Sequence, residues 1–163
     1  MNNIWDFGER DRRFRQIRDA MEQQGLDGIV IAGHGSQFNR GFARYVTDAH
    51  MWAGDSLILL PLDSEPVHVQ VTYASAAIPS KGALQLVPPG ERWISDFRRA
   101  PLPQSEIVDA MKTKKITSGK IGIVGLGKIA TIDAYHMMKE GLPNIEFVRS
   151  DLLMERIRAV KSK

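Results

Sequence analysis

Cysteine is missing altogether from this 163-residue chain. With it go a disulfide framework, a thiolate metal site and a cysteine nucleophile, a usage that agrees with a reducing compartment and makes the cytoplasm the expected location. Long apolar runs are missing too. None approaches the roughly 18 residues that a membrane span requires, and the opening Met1-Asn2-Asn3-Ile4-Trp5-Asp6 lacks the apolar centre of a secretion signal. No membrane partner is expected. Aromatic residues make up only 7% of the chain, and they do not interleave with basic ones as a base-stacking platform would require. The formal charge of +3 raises the question of nucleic acid. However, Arg10, Arg12, Arg13, Arg15 and Arg18 are spread around most of one predicted helix with Asp11, Asp19 and Glu22 among them. That distribution reads as a solvated face, and no nucleic-acid partner is expected.

What is present is the composition of a globular protein, 43% hydrophobic and 25% charged, at a length suited to one domain. The organising stretch is Gly25-Leu26-Asp27-Gly28-Ile29-Val30-Ile31-Ala32, a turn followed by an apolar run without polar alternation. Such a run predicts a strand buried on both faces. Upstream, Phe14, Ile17 and Met21 recur on one side of a helix expected over Glu9 to Gln24, and Gly25 supplies its stop. A helix delivering the chain into a buried strand is an α/β layer signal.

After the turn Gly33-His34-Gly35-Ser36, the segment from Gln37 to Gly54 is dense in hydrogen-bonding and aromatic side chains. A short edge strand is expected at Arg44-Tyr45-Val46-Thr47, with His50 and Trp52 on a surface loop where function collects. A hairpin follows, with strands at Ser56 to Leu60 and Val67 to Val71 around a turn from Pro61 to Pro66. Val67, Val69 and Val71 alternate with His68 and Gln70, so His68 is expected to be a half-exposed sheet residue. Tyr73 to Ile78 predicts a short helix and Leu84 to Val87 a short strand. Glu91 to Gln104, with Pro101, Pro103, Arg92, Arg98 and Arg99, predicts a loop anchored by Trp93, Ile94 and Phe97, with Trp93 in the core. Ser105 is the expected N-cap of a helix carrying Ile107, Val108 and Met111.

The most motif-like string is Lys120 to Ala130. A buried strand, Gly125-x-Gly127-x-x-Ala130, a helix through Tyr135 and Met138, a strand at Ile145 to Val148 and then Asp151 imitate a dinucleotide-binding unit, with pyrophosphate over the helix N-terminus and Asp151 on the ribose. Two features point away from it. Only about a dozen residues follow Asp151, where a dinucleotide domain needs several more strand–helix units, and Thr131 can cap a helix that starts after a loop. A small dinucleotide-binding module using the Gly125-x-Gly127 turn is kept as the alternative function.

The order of elements over about residues 10 to 162 carries a different resemblance. A helix into Gly-Leu-Asp-Gly-Ile-Val-Ile, the Arg44-Tyr45-Val46-Thr47 segment, a hairpin, the Ile121-Gly122-Ile123 strand, a helix ending Gly141-Leu142-Pro143, Glu146-Phe147-Val148, and the close from Leu153 through Ile157-Arg158-Ala159-Val160-Lys161-Ser162 appear in turn. Together they resemble the N-terminal domain of the pita-bread metallopeptidases: Xaa-Pro dipeptidase (prolidase), aminopeptidase P and creatinase. The resemblance implies an α/β fold, a mixed sheet with helices on both faces, ribonuclease H-like. It implies residues 1–160 as that domain and 161–163 as the start of a linker to an absent catalytic domain, this chain's main partner, with a homodimer in the parent. This fragment itself would hold no cofactor and no catalytic residue. In the family, two divalent metal ions are held by Asp, Asp, His, Glu and Glu on the later domain.

Within this chain His34, His50, His68 and His136 show no His-x-x-x-His pair, and Asp133 with His136 is the one helical pair sharing a face. By position after the first strand, the resemblance places His50 and Trp52 toward the substrate cleft. The family often has Asn-Ile-x-Tyr-Leu-Thr-Gly there, whereas Phe42, Ala43 and Asp48 stand where Asn, Ile and Gly would be. Peptidase and creatinase-like chemistry therefore both stay open.

Overall fold

Burial follows the apolar spacing in the first helix, α1 (Phe7–Gln23): Phe14, Ile17 and Met21 are its buried residues. Gly25, at φ +63°, turns the chain through a left-handed conformation that only glycine adopts without cost. The chain then enters β1 (Gly28–His34), buried from Gly28 to Gly33. The computed structural model describes residues 7–35, 39–49, 54–71 and 92–160. The expected helix at Tyr73 to Ile78, the strand at Leu84 to Val87, the linker residues 161–163, His50 and Trp52 lie outside them.

The remaining elements are α2 (Gly41–Thr47), β2 (Asp55–Pro61), β3 (Val67–Val71), β4 (Asp96–Ala100), α3 (Pro103–Thr113), β5 (Gly119–Val124), α4 (Ile132–Gly141), β6 (Ile145–Arg149) and α5 (Asp151–Ala159). The described strands form one six-stranded sheet in the order β4-β3-β2-β1-β5-β6. β2 runs antiparallel to both β1 and β3, and the other pairs are parallel. The sheet is therefore mixed, with β2 alone reversed. The Ser56–Leu60 and Val67–Val71 hairpin forms as expected, Ile58 opposite His68.

Side-chain alternation splits the core into two layers. Val30, Ala32, Leu57, Leu59, Ile121 and Ile123 face Ile107 and Met111 of α3 and Met138 of α4. Ile29, Ile31, Ile58 and Leu60 face Ile17 and Met21 of α1, Val46 of α2, and Leu153 and Met154 of α5. Burying a side chain of this size is worth about 1.5–3 kcal/mol. At Gly122 a Cβ would sit 2.9 Å from Ile29 Cγ2 and collide with the Ser150 side chain, so glycine there lets β5 and the entry to α5 close up.

Three expectations are corrected. Arg44 to Thr47 is not an edge strand but the second half of α2. Ala43, Val46 and Thr47 share one helical face and are buried, and Thr47 Oγ1 donates to the Ala43 carbonyl at 2.8 Å. Burial of that face outweighs the β preference of Tyr45, Val46 and Thr47. The loop from Glu91 to Gln104 contains β4, in register with β3 from Val67–Asp96 to Val71–Ala100. Arg98 does not break this strand, because Asp96 accepts from its Nε and Nη2 at 2.8 Å each and Glu106 lies 3.4 Å from its Nη1. Finally, α3 starts two residues before Ser105, with Pro103 in its first turn and no side-chain cap at Leu102. Proline suits that position because its missing N–H would be unpaired anyway.

The alternative cap at Thr131 is present: its Oγ1 accepts from the Ala134 N–H at 3.1 Å. Thr131→Ala is expected to lower the unfolding free energy by about 1 kcal/mol, read from the midpoint of urea unfolding followed by circular dichroism; an unchanged midpoint would show that the cap is idle.

Candidate functional site

Because β2 alone is reversed, the carboxyl ends of β1, β3, β4, β5 and β6 lie along one rim. In open α/β sheets ligand crevices form at that end, where strands hand over to loops. Here His34 ends β1 in register with Asp55, which opens β2. His34 Nε2 lies 3.9 Å from Asp55 Oδ1, and the two side chains are 42% and 53% exposed. Beyond this pair Gly35 N–H donates to Gly54 O at 2.9 Å and His34 N–H to Asn39 O at 3.3 Å. Those bonds hold together the chain on either side of residues 36–38 and 50–53.

The rim also carries a small cavity of about 170 Å³. Ala32, Leu57 and Val71 form part of its floor, and Leu102, Ile129 and Ala130 stand at its sides. Of its polar neighbours, Thr131 is committed to its cap and Gln104 Nε2 points to Met137 Sδ at 3.2 Å. The cavity suits an apolar group of side-chain size. Asp55, the partner of His34, also lines it and is the one ionisable group among its lining residues.

The structure places the other residues singled out from sequence. Among the described residues, no group of three or more His, Asp or Glu side chains is arranged to hold a metal ion. Asp133 and His136 are both exposed on α4, His136 packing edge-on to Tyr135 with ring centroids 5.7 Å apart. The described donor set therefore does not fit a two-metal centre. Trp93 is in the core, 3% exposed, under the guanidinium of Arg13, which lies 5.0 Å from its ring centroid and 4.5 Å from that of Tyr45. Glu9 holds Arg12 and Arg13 in place, and the hydrogen bond from Arg12 draws its carboxyl down to about 2.

The Gly125-x-Gly127 turn does not present what a pyrophosphate requires. Its Gly125 N–H is taken by Asp151 Oδ1 at 2.6 Å. The N–H groups of Lys128, Ile129 and Ala130 all turn back to Gly125 O, at 3.1, 2.8 and 3.0 Å. The helix opens only at Ile132, after its Thr131 cap. Asp151, 5% exposed, also accepts from Arg149 Nε. The acid expected on a ribose is thus committed to its own chain.

His68 is the residue that strand alternation misplaced. It is 1% exposed rather than half-exposed, with Nε2 3.2 Å from Ser56 Oγ and its ring against Phe97, centroids 5.1 Å apart. Burial, and then the charge of Arg92, push its pKa down to about 3. The apolar Trp93-Ile94 pair after Arg92 was the signal that this face of β3 is covered.

Comparison with known proteins comes down to sequence family and fold. Residues 13–160 match the family described as the creatinase/prolidase N-terminal domain. No curated protein matches the chain. Among solved structures, an Xaa-Pro aminopeptidase from Streptococcus pyogenes aligns with a TM-score of 0.63 and 15% identity over 93% of this chain and 98% of its own. The N-terminal domain of the cytoplasmic peptidase PepQ from Mycobacterium tuberculosis H37Rv aligns with a TM-score of 0.60 and 14% identity, covering 90% of this chain and 98% of its own. A recombinant prolidase from Thermococcus sibiricus gives a TM-score of 0.63 and 13% identity over 97% of this chain, but only 38% of its own. At such identities the likeness is one of fold.

Proposed function

The chain belongs to the creatinase/prolidase N-terminal domain family, and from that premise we propose that it is the non-catalytic domain of a metal-dependent peptidase of Xaa-Pro dipeptidase or aminopeptidase P type, or of a creatinase-like hydrolase. The family match over residues 13–160 is the observation that carries the reading. Residues 1–160 form the domain, and 161–163 begin a linker to a catalytic domain. Support for a following domain comes from length, since this chain covers 38% of the Thermococcus sibiricus prolidase. Two divalent metal ions belong to that following domain, where they supply Lewis-acid chemistry for hydrolysis. No step of the hydrolysis is assigned to residues of this chain.

Its contribution is to assist homodimerisation and to shape the substrate entrance in the cytoplasm. His50 and Trp52 face the cleft, by their sequence position between α2 and β2. The 163-residue chain, purified and supplied with Mn(II) and an Xaa-Pro dipeptide, is expected to show no turnover and no stoichiometric, tightly held metal. Turnover with bound metal would overturn the proposal. In a chain extended through the catalytic domain, His50→Ala and Trp52→Ala are expected to raise KM roughly tenfold while largely preserving kcat, as lost uniform binding does. Kinetics identical to the parent would remove both residues from the cleft.

A further inference from the structure

His68 is a buried titratable group that the proposed function does not use, and its surroundings are set against a positive charge. Ser56 and Ile58 of β2 approach it without charge. On β4 its neighbour across the pair is Phe97, with Arg99 one alternation further along the same face, opposite Gln70. Asp96 and Arg98 alternate to the other face, where they pair with each other and with Glu106. From the segment before β4 comes the guanidinium of Arg92, 4.9 Å from the Phe97 ring centroid. Beyond Trp93, α1 supplies Arg13 and the carboxylate of Glu9, which is already shared between Arg12 and Arg13. Among these groups it is the cation Arg92 whose charge acts on His68. Its Nδ1 has no hydrogen-bonding partner among the described residues, so no acceptor stands ready for a second ring proton.

β4 is also the least secured part of the sheet. Among the described strands it is an edge paired only with β3, and of its five residues only Ala100 is buried. By contrast β1 sits between β2 and β5 and is buried almost throughout. Local opening draws on elements with few buried apolar contacts. We propose that β4 is an acid-releasable edge of the described sheet, hinged on the buried Trp93-Ile94 pair that precedes it: uptake of a solvent proton by the His68 imidazole detaches it from β3. Release would bare the outer edge of β3, a template for pairing with another chain.

The sign follows from proton counting. The closed sheet holds His68 neutral and the opened edge lets it protonate with its ordinary affinity, so opening is favoured as pH falls below about 6.5. Glu9 and Asp96, both held below their ordinary carboxylate values by arginine hydrogen bonds, remain ionised above about pH 4.5 and do not contribute in that window.

Amide hydrogen exchange on the 163-residue chain between pH 7.5 and 4.5, corrected for intrinsic exchange rates, tests this. Protection at residues 96–100 and at those amides of 67–71 that bond to β4 is expected to fall about tenfold per pH unit below about 6.5, with the β3 amides bonded to β2, and with β1 and β5, unaffected. In His68→Gln the fall should vanish. Equal loss across all strands, unchanged protection of β3 and β4 at pH 5, or the same fall in the variant would each overturn the proposal. Should the variant fail to fold, the wild-type imidazole resonances decide. The folded signal of His68 is expected to stay neutral to pH 4.5, and an ordinary titration near 6.5 within the closed sheet would overturn the proposal.

Discussion

Ile31→Ala is expected to lower the unfolding free energy by about 3 kcal/mol, within the range of roughly 2–5 for truncating a fully buried isoleucine. Ile31 is 0% exposed at the centre of β1, opposite Ile58 on one side and Val124 on the other. Its side chain belongs to the layer under α1, α2 and α5. Neighbouring strands hold the backbone from both sides, so the site cannot collapse to fill the void and the cost includes a cavity as well as lost transfer free energy. Urea unfolding followed by circular dichroism should show the midpoint moving with little change in slope. A loss below 1 kcal/mol would mean that β1 is not the packed centre described above.

Asp151→Ala is expected to cost about 2 kcal/mol. Removing the carboxylate strands the buried Gly125 N–H, which now donates to Asp151 Oδ1 at 2.6 Å, and hydrogen bonds to charged acceptors are worth about 1.5–3 kcal/mol. The Arg149 pair adds little, since the Arg149 side chain is 58% exposed and solvent screens it. Asp151→Asn, which keeps an acceptor oxygen, should recover part of the loss. Titration with NAD(H) should show no saturable binding to the parent or to either variant. If Asp151→Ala unfolds like the parent and abolishes a measurable NAD(H) affinity, the dinucleotide reading of the Gly125-x-Gly127 turn returns.

Acid sensitivity and nucleotide binding thus both turn on residues whose partners are distant in sequence. Asp151 stands at the spacing of a ribose-binding acid, but β5 and α5 meet so that its carboxylate faces the turn instead. His68 alternates with valines as a half-wet strand residue would, yet Phe97 and Arg92 arrive from beyond the hairpin to cover it. The same holds for α2, where Tyr45, Val46 and Thr47 have strand propensities that a short segment cannot override alone. Only the burial of Ala43, Val46 and Thr47 beneath the sheet makes the helix the better solution. In β4, two prolines and three arginines nearby suggested a loop, because an edge strand paired on one side carries too little apolar pattern to announce itself.

By itself the sequence determined the elements whose stability is local or whose burial is complete on both faces. The Phe14, Ile17 and Met21 stripe specified α1, the Ile29-Val30-Ile31 run specified a central strand, and the order of motifs specified the family. Tertiary structure alone decided α2, β4, the burial of His68 and the capture of Asp151 by Gly125. In each of these the deciding free energy comes from groups brought together across the sheet, and no pattern within a single segment records such a meeting.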